Sequence, residues 1–148
     1  MLKIYDQNHK AVGHIIKYKD LKIESDVTTG DKTLSFTYLA RHHEISEEFY
    51  VEDREDEYVI KEKTASTDGF LQFVAALNLE DLEAKPWSSF SIQDSTIEDA
   101  AKLALAGTGW TVGECTVTKK RNAGILQTTT LGVIQKLCTA FMCEVVYD

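Results

Sequence analysis

The stretch Ser95-Thr-Ile-Glu-Asp-Ala-Ala-Lys-Leu-Ala-Leu-Ala-Gly-Thr-Gly-Trp110 decides how this chain is read. Ser95 and Glu98 have capping-box spacing, in which the hydroxyl takes the Glu98 amide and the carboxylate reaches back. Ile97, Ala100, Ala101 and Ala104 follow at helical spacing, with Leu103 and Leu105 flanking the same face. Glu98, Asp99 and Lys102 fall opposite, and Glu98 to Lys102 is a favourable i,i+4 pair. Gly107 stands where a left-handed cap is wanted. Trp110-Thr-Val-Gly113 then turns to strand-like composition. The stretch predicts a short helix feeding a strand. Ile97, Ala101, Ala104 and Trp110 are expected inside, with Glu98 and Lys102 outside.

The pattern echoes downstream. Shifted by 34 residues, Thr96-Ile97, Lys102-Leu103, Ala106 and Val112 meet Thr130-Leu131, Lys136-Leu137, Ala140 and Val146. A second unit is therefore expected, with a helix over Leu131 to Phe141 and a strand over Cys143 to Tyr147.

Upstream, the chain reads as strands. Leu2 to Tyr5 is closed by the turn-like Asp6-Gln-Asn8. Val12 to Tyr18 and Leu21 to Val27 follow, with Lys19-Asp20 between them. Thr29-Gly30-Asp31 looks like a hairpin turn into Leu34 to Leu39, which alternates with period two. Phe49 to Val51 and Tyr58 to Ile60 flank the acidic tip Glu52 to Asp56. Phe70 to Leu79 has helix-forming residues, but the alternation Phe73, Ala75, Leu77, Leu79 favours a strand. Pro86 limits any helix through Lys85, and Trp87 to Ile92 is a further strand. The fold class is α+β: a strand-rich barrel or sandwich-like half over residues 1–68, then a mixed half over 69–148 with two short helix–strand units. The ending Glu144-Val-Val-Tyr147-Asp148 predicts a fragment of a longer protein.

At 148 residues the chain is long enough to bury a core, and its 43% hydrophobic and 27% charged residues are those of a globular protein. A net charge of −8 argues against nucleic acid as a partner. Lys119-Lys120-Arg121, the only basic run, reads as a solvated turn. The segment from Met1 lacks the apolar core of a signal peptide, and no apolar run is long enough to cross a membrane. The odd count of Cys115, Cys138 and Cys143 makes no disulfide framework and fits reduced thiols from cytoplasmic synthesis.

No motif carries catalysis. His42-His43-Glu44 is the most metal-like cluster, but adjacent extended residues point to opposite faces, and no second ligand pair supports them. Cys138 shares a face with Leu131, Ile134, Leu137 and Phe141, as a buried structural thiol does. Gly107-Thr-Gly109 follows a helix, whereas a phosphate loop precedes one. Glu47-Glu48 and Glu80-Asp81 read as solvated turn residues. The expectation is no catalytic, cofactor-binding or metal-ligating residue, and no enzyme.

Asn78-Leu-Glu-Asp-Leu82, Ser95 to Ala100 and Leu105-Ala-Gly-Thr-Gly-Trp110-Thr-Val-Gly113 together resemble tail-hub proteins of siphophages and prophages. These are minor structural proteins, or the N-terminal part of tail-associated lysins and prophage endopeptidase tail proteins. Ile125 and Leu131 to Tyr147 fit the same order. The resemblance implies a β-rich hub subunit at the distal end of the phage tail tube, in the virion, made in the bacterial host cytoplasm. It implies a homotrimer in the full-length protein, with distal-tail and tape-measure proteins as partners and any lysin module further along. Edge strands such as Leu34 to Leu39 are expected at the subunit contacts. The rivals are a cellular protein-interaction adaptor and a non-catalytic accessory part of a hydrolase.

Overall fold

A computed structural model describes residues 1–26, 29–39, 43–66 and 68–148. Its contacts divide the chain into two compact units: residues 1–78 with 146–148, and residues 79–145.

Among the described residues, the first unit is one curled antiparallel sheet of seven strands. In chain order these are β1 (Leu2–Tyr5), β2 (Ala11–Ile15), β3 (Tyr18–Ser25), β4 (Lys32–Tyr38), β5 (Tyr50–Asp53), β6 (Asp56–Ala65) and β7 (Leu71–Leu77). Their order across the sheet is β2-β1-β5-β6-β7-β4-β3. Alternation builds the core, because successive side chains leave a strand on opposite faces. Leu34, Phe36 and Tyr38 of β4 meet Phe73 and Ala75 of β7, Tyr58 and Ile60 of β6, Val51 of β5, and Leu2 and Ile4 of β1. Phe36 lies directly opposite Phe73, and their rings stack with centroids 5.2 Å apart.

Three sequence expectations shift here. β4 lies between β3 and β7, so Leu34 to Leu39 is no sheet edge. The break expected at Lys19-Asp20 falls at Ile16-Lys17 instead, and Lys19 to Lys22 becomes a bulge inside β3 with Asp20 at φ 55°. Pairing of Tyr18 with Tyr38 carries the strand through that bulge. The division at 68/69 is replaced by one at 78/79, because β7 hydrogen-bonds to both β6 and β4 and completes the sheet. The expected end of the Leu21 to Val27 strand, at Val27, lies outside the described residues.

The second unit contains α1 (Glu80–Ala84), β8 (Pro86–Thr96), α2 (Ile97–Leu105), β9 (Lys120–Thr129) and α3 (Thr130–Phe141). β8 and β9 form an antiparallel pair. The single turn α1, which the sequence pattern does not announce, is anchored by the fully buried Leu82. It stops at Ala84 because Lys85, before Pro86, is extended.

Each unit of the expected repeat exists, but with the strand before the helix. Residues 110–119 and 143–148 form no strand. The structural equivalence is also 33 residues rather than 34. Thr96 and Thr129 are the N-caps, each hydroxyl accepting an amide three residues on, from Asp99 and Gly132, at 3.3 Å. Asp94 and Gln127, again 33 apart, both take left-handed φ values of 46° and 48° where strand turns into helix. Ile97, Ala100 and Ala104 correspond to Thr130, Val133 and Leu137, and all six are buried.

Ser95 is thus not the cap: it stays paired with Arg121 in the β8–β9 ladder. That one-residue shift centres the buried face of α2 on Ile97, Ala100 and Ala104, leaving Ala101 and Trp110 half-buried and Leu103 exposed. Glu98 and Lys102 form the expected ion pair, at 2.9 Å. Ala104 is fully buried, so Ala104→Leu is expected to cost about 1–2 kcal/mol by overpacking. Ala101→Leu should cost less than half as much. Urea titration of both variants checks this, and equal costs would contradict the stated face.

Candidate functional site

The features of the first unit suited to binding are its two sheet edges and the groove beside one of them. Among the described residues, β2 and β3 each have one strand neighbour and offer their other side unpaired. Ile23 faces the core side opposite Leu34, yet stays 46% exposed, and Leu21 is 38% exposed. Curling of the sheet brings this strand towards β1 and β5. Tyr18, Leu21 and Ile23 face Met1, Lys3 and Glu52 across a groove of about 420 Å³. The Met1 amino group donates to the Tyr18 hydroxyl at 3.3 Å. Met1 and Ile16 add exposed apolar surface nearby in the chain.

One wall of the groove is a charged cluster. Lys3 lies opposite Glu52 in the β1–β5 ladder, with Nζ 2.6 Å from Oε1, and the Tyr5 hydroxyl donates to the other carboxylate oxygen at 3.2 Å. The Lys3 hydrogen bond holds the Glu52 carboxyl below its ordinary range. Its contribution to stability is therefore present at neutral pH and lost as pH falls through that lowered value. The expected acidic tip is smaller than the sequence implies. Arg54-Glu55 makes a two-residue turn with Arg54 at φ 59°, while Asp53 and Asp56 pair as the last rung of β5–β6. Asp56 is neutralised by Lys32 at 3.0 Å. Burial, then the nearby Asp56 and Asp53, pushes the Tyr58 hydroxyl up to about 12.

The residues weighed as metal or catalytic groups are dispersed. His42 lies outside the described residues. The His43 ring packs over Gly13, where a Cβ would stand 2.6 Å from it, so its neighbour there is the β2 backbone. Glu44, Glu47 and Glu48 are exposed, and Glu80 and Asp81 occupy the exposed first turn of α1. Gly107 and Gly109 are left-handed turn residues with open space around them. Among the described residues, no group of three His, Cys, Asp or Glu side chains is arranged to hold a metal ion. No helix among them is long and apolar enough to cross a membrane. Cys115, Cys138 and Cys143 are free thiols, and Cys138 is buried as its helical face requires.

Sequence reasoning missed the edge and groove of β3. The available signal was Leu21 and Ile23 alternating with Lys22 and Glu24. That pattern marks a two-faced strand without saying that one side lacks a neighbour.

Solved structures that share this fold include two tail proteins. Prophage tail protein gp18 from Listeria monocytogenes EGD-e aligns over 93% of the chain with a TM-score of 0.63 and 14% identity. The tail protein from Neisseria meningitidis MC58 aligns over 99%, with a TM-score of 0.54 and 14% identity. The chain spans less than half the length of either, 44% and 47%. No curated protein sequence matches it significantly. Two family models match in order: the prophage endopeptidase tail N-terminal domain over residues 2–77 and the prophage endopeptidase tail domain over residues 85–148. Their extents follow the curled sheet and the β8–α3 segment, and the chain therefore belongs to the prophage endopeptidase tail family, as a structural component of a phage tail.

Proposed function

We propose that this chain forms part of the hub at the distal tip of the tail, as one subunit of a ring about a threefold axis. The observation that carries this reading is the open sheet of the first unit. A heterologous ring closes only when each subunit offers two different, complementary patches. β2 and β3 are two such edges at opposite ends of one sheet, and β3 adds the groove in which Leu21 and Ile23 face the charged wall of Lys3 and Glu52. Unpaired amides and carbonyls along an edge extend a sheet into a neighbour. Distal-tail and tape-measure proteins are the partners this position implies, above and below the ring. The role is architectural, and peptidase chemistry belongs to other modules of such proteins.

The test uses the full-length parent. Light scattering, or imaging of intact tails, should count three copies at the tip. Ile23→Asp in the parent should weaken ring assembly at least about tenfold, because a charge enters the edge contact. Its cost to folding should stay below about 1 kcal/mol, since the side chain is already half in solvent. A stable monomeric parent absent from virions would defeat the hub reading and favour an adaptor. Peptide-hydrolysing activity in this chain alone, abolished by substitution of a carboxylate in it, would defeat the architectural one.

A further inference from the structure

The C-terminus of α3 is a Schellman cap. Met142 takes the left-handed conformation, with φ 52° and ψ 52°. Its amide donates to the Thr139 carbonyl at 3.2 Å, and the Cys143 amide donates to the Cys138 carbonyl at 2.9 Å. This motif brings the side chain just past the left-handed residue against the one five positions earlier, usually as an apolar contact. Here those two positions are Cys143 and Cys138. Both are free thiols, Cys138 buried and Cys143 half-buried. The direct backbone bond keeps the two residues adjacent, which a disulfide requires, since its Cα atoms must lie within about 4.4–6.8 Å.

We infer that Cys138 and Cys143 are a redox-sensitive pair, which closes into a disulfide across the α3 cap when the protein meets a small oxidising disulfide. The half-buried Cys143 reacts first. Its thiol gives its proton to solvent, and its sulfur attacks one sulfur of oxidised glutathione, expelling one glutathione thiolate. Cys138 then loses its proton and attacks the Cys143 sulfur, expelling the second glutathione thiolate. Both cysteines are oxidised, and the small disulfide is reduced to two thiols. Burial, together with the neighbouring Cys143, pushes the Cys138 thiol up to about 12, so the second step is the slow one. A tail component passes from a reducing host cytoplasm to oxidising surroundings, so its thiols start reduced and close later. Closure locks the αL cap, and with it the point where the chain leaves α3.

Thiol titration of the purified chain tests this. Three thiols in the reduced protein should fall to one after oxidised glutathione, with the monomer's mass lower by two hydrogens and a peptide map joining Cys138 to Cys143. Cys115→Ser should still lose two thiols. Cys143→Ser, which spares the buried position, should form no internal link. Closure of the isolated mixed disulfide should accelerate about tenfold per pH unit below the Cys138 titration. A mixed disulfide that persists on Cys143 would overturn the proposal, and so would oxidation only to intermolecular dimers or a map joining Cys115 to either partner.

Discussion

Phe73→Ala is expected to destabilise the first unit by about 3–5 kcal/mol, the usual cost of deleting a fully buried aromatic ring. The ring sits on β7, two strands from the β3 edge, stacked on Phe36 and enclosed by the faces of β4 and β6. Its strand is paired on both sides, so the surrounding backbone cannot relax far into the void. Val74 points to the opposite face and is only half-buried, so Val74→Ala is the control, with a loss of about 1 kcal/mol. Urea titration followed by far-UV circular dichroism measures both. Both tryptophans, Trp87 and Trp110, lie in the second unit, so their fluorescence does not read this core directly. A loss below 1 kcal/mol for Phe73→Ala would contradict the ring's place at the centre of the sheet.

Thr130→Val should remove about 2–3 kcal/mol from the second unit, although it barely changes side-chain volume. Thr130 is fully buried, and three segments meet at its side chain and backbone. Its hydroxyl accepts the Trp87 indole N–H at 3.0 Å and donates to the Lys85 carbonyl at 3.3 Å. Its own amide reaches the same carbonyl at 2.9 Å. Valine leaves the indole N–H without its acceptor in a half-buried site, and the desolvation of that group is no longer offset. Trp87 also packs edge-on against Phe90, so its displacement disturbs β8. The urea midpoint read by tryptophan fluorescence should fall, with a change in the folded-state emission. Thr130→Ser keeps the hydroxyl and should recover most of the loss; if it costs as much as valine, packing rather than hydrogen bonding explains the position.

The family resemblance was legible because its residues are local: the Leu-Ala-Gly-Thr-Gly-Trp run needs no partner elsewhere in the chain to be recognised. The candidate site was not. β3 carries Leu21 and Ile23 in ordinary strand alternation, and their partial exposure follows from the strand's place at the end of the sheet. The thiol pair shows the same limit in miniature. Cys143 comes five positions after Cys138, but only the left-handed Met142 folds the chain back and makes them neighbours.

Periodicity and turn chemistry sufficed for several elements. α3 was readable from Leu131 to Phe141, β4 and β7 from their alternation, the β3–β4 turn from Gly30, and the stop before Pro86 from the conformational limits of the residue preceding it. Each of these is a property of a few consecutive residues, so the signal sits where the element does. Strand order, the interior place of β4, the bulge at Lys19 to Lys22, the unit boundary after Asn78 and the cap at Thr96 instead of Ser95 came from pairing over long separations. A strand's own residues set which face is apolar. Its neighbours, and whether it has one on each side, depend on how all seven strands share a single buried face, and no single segment encodes that.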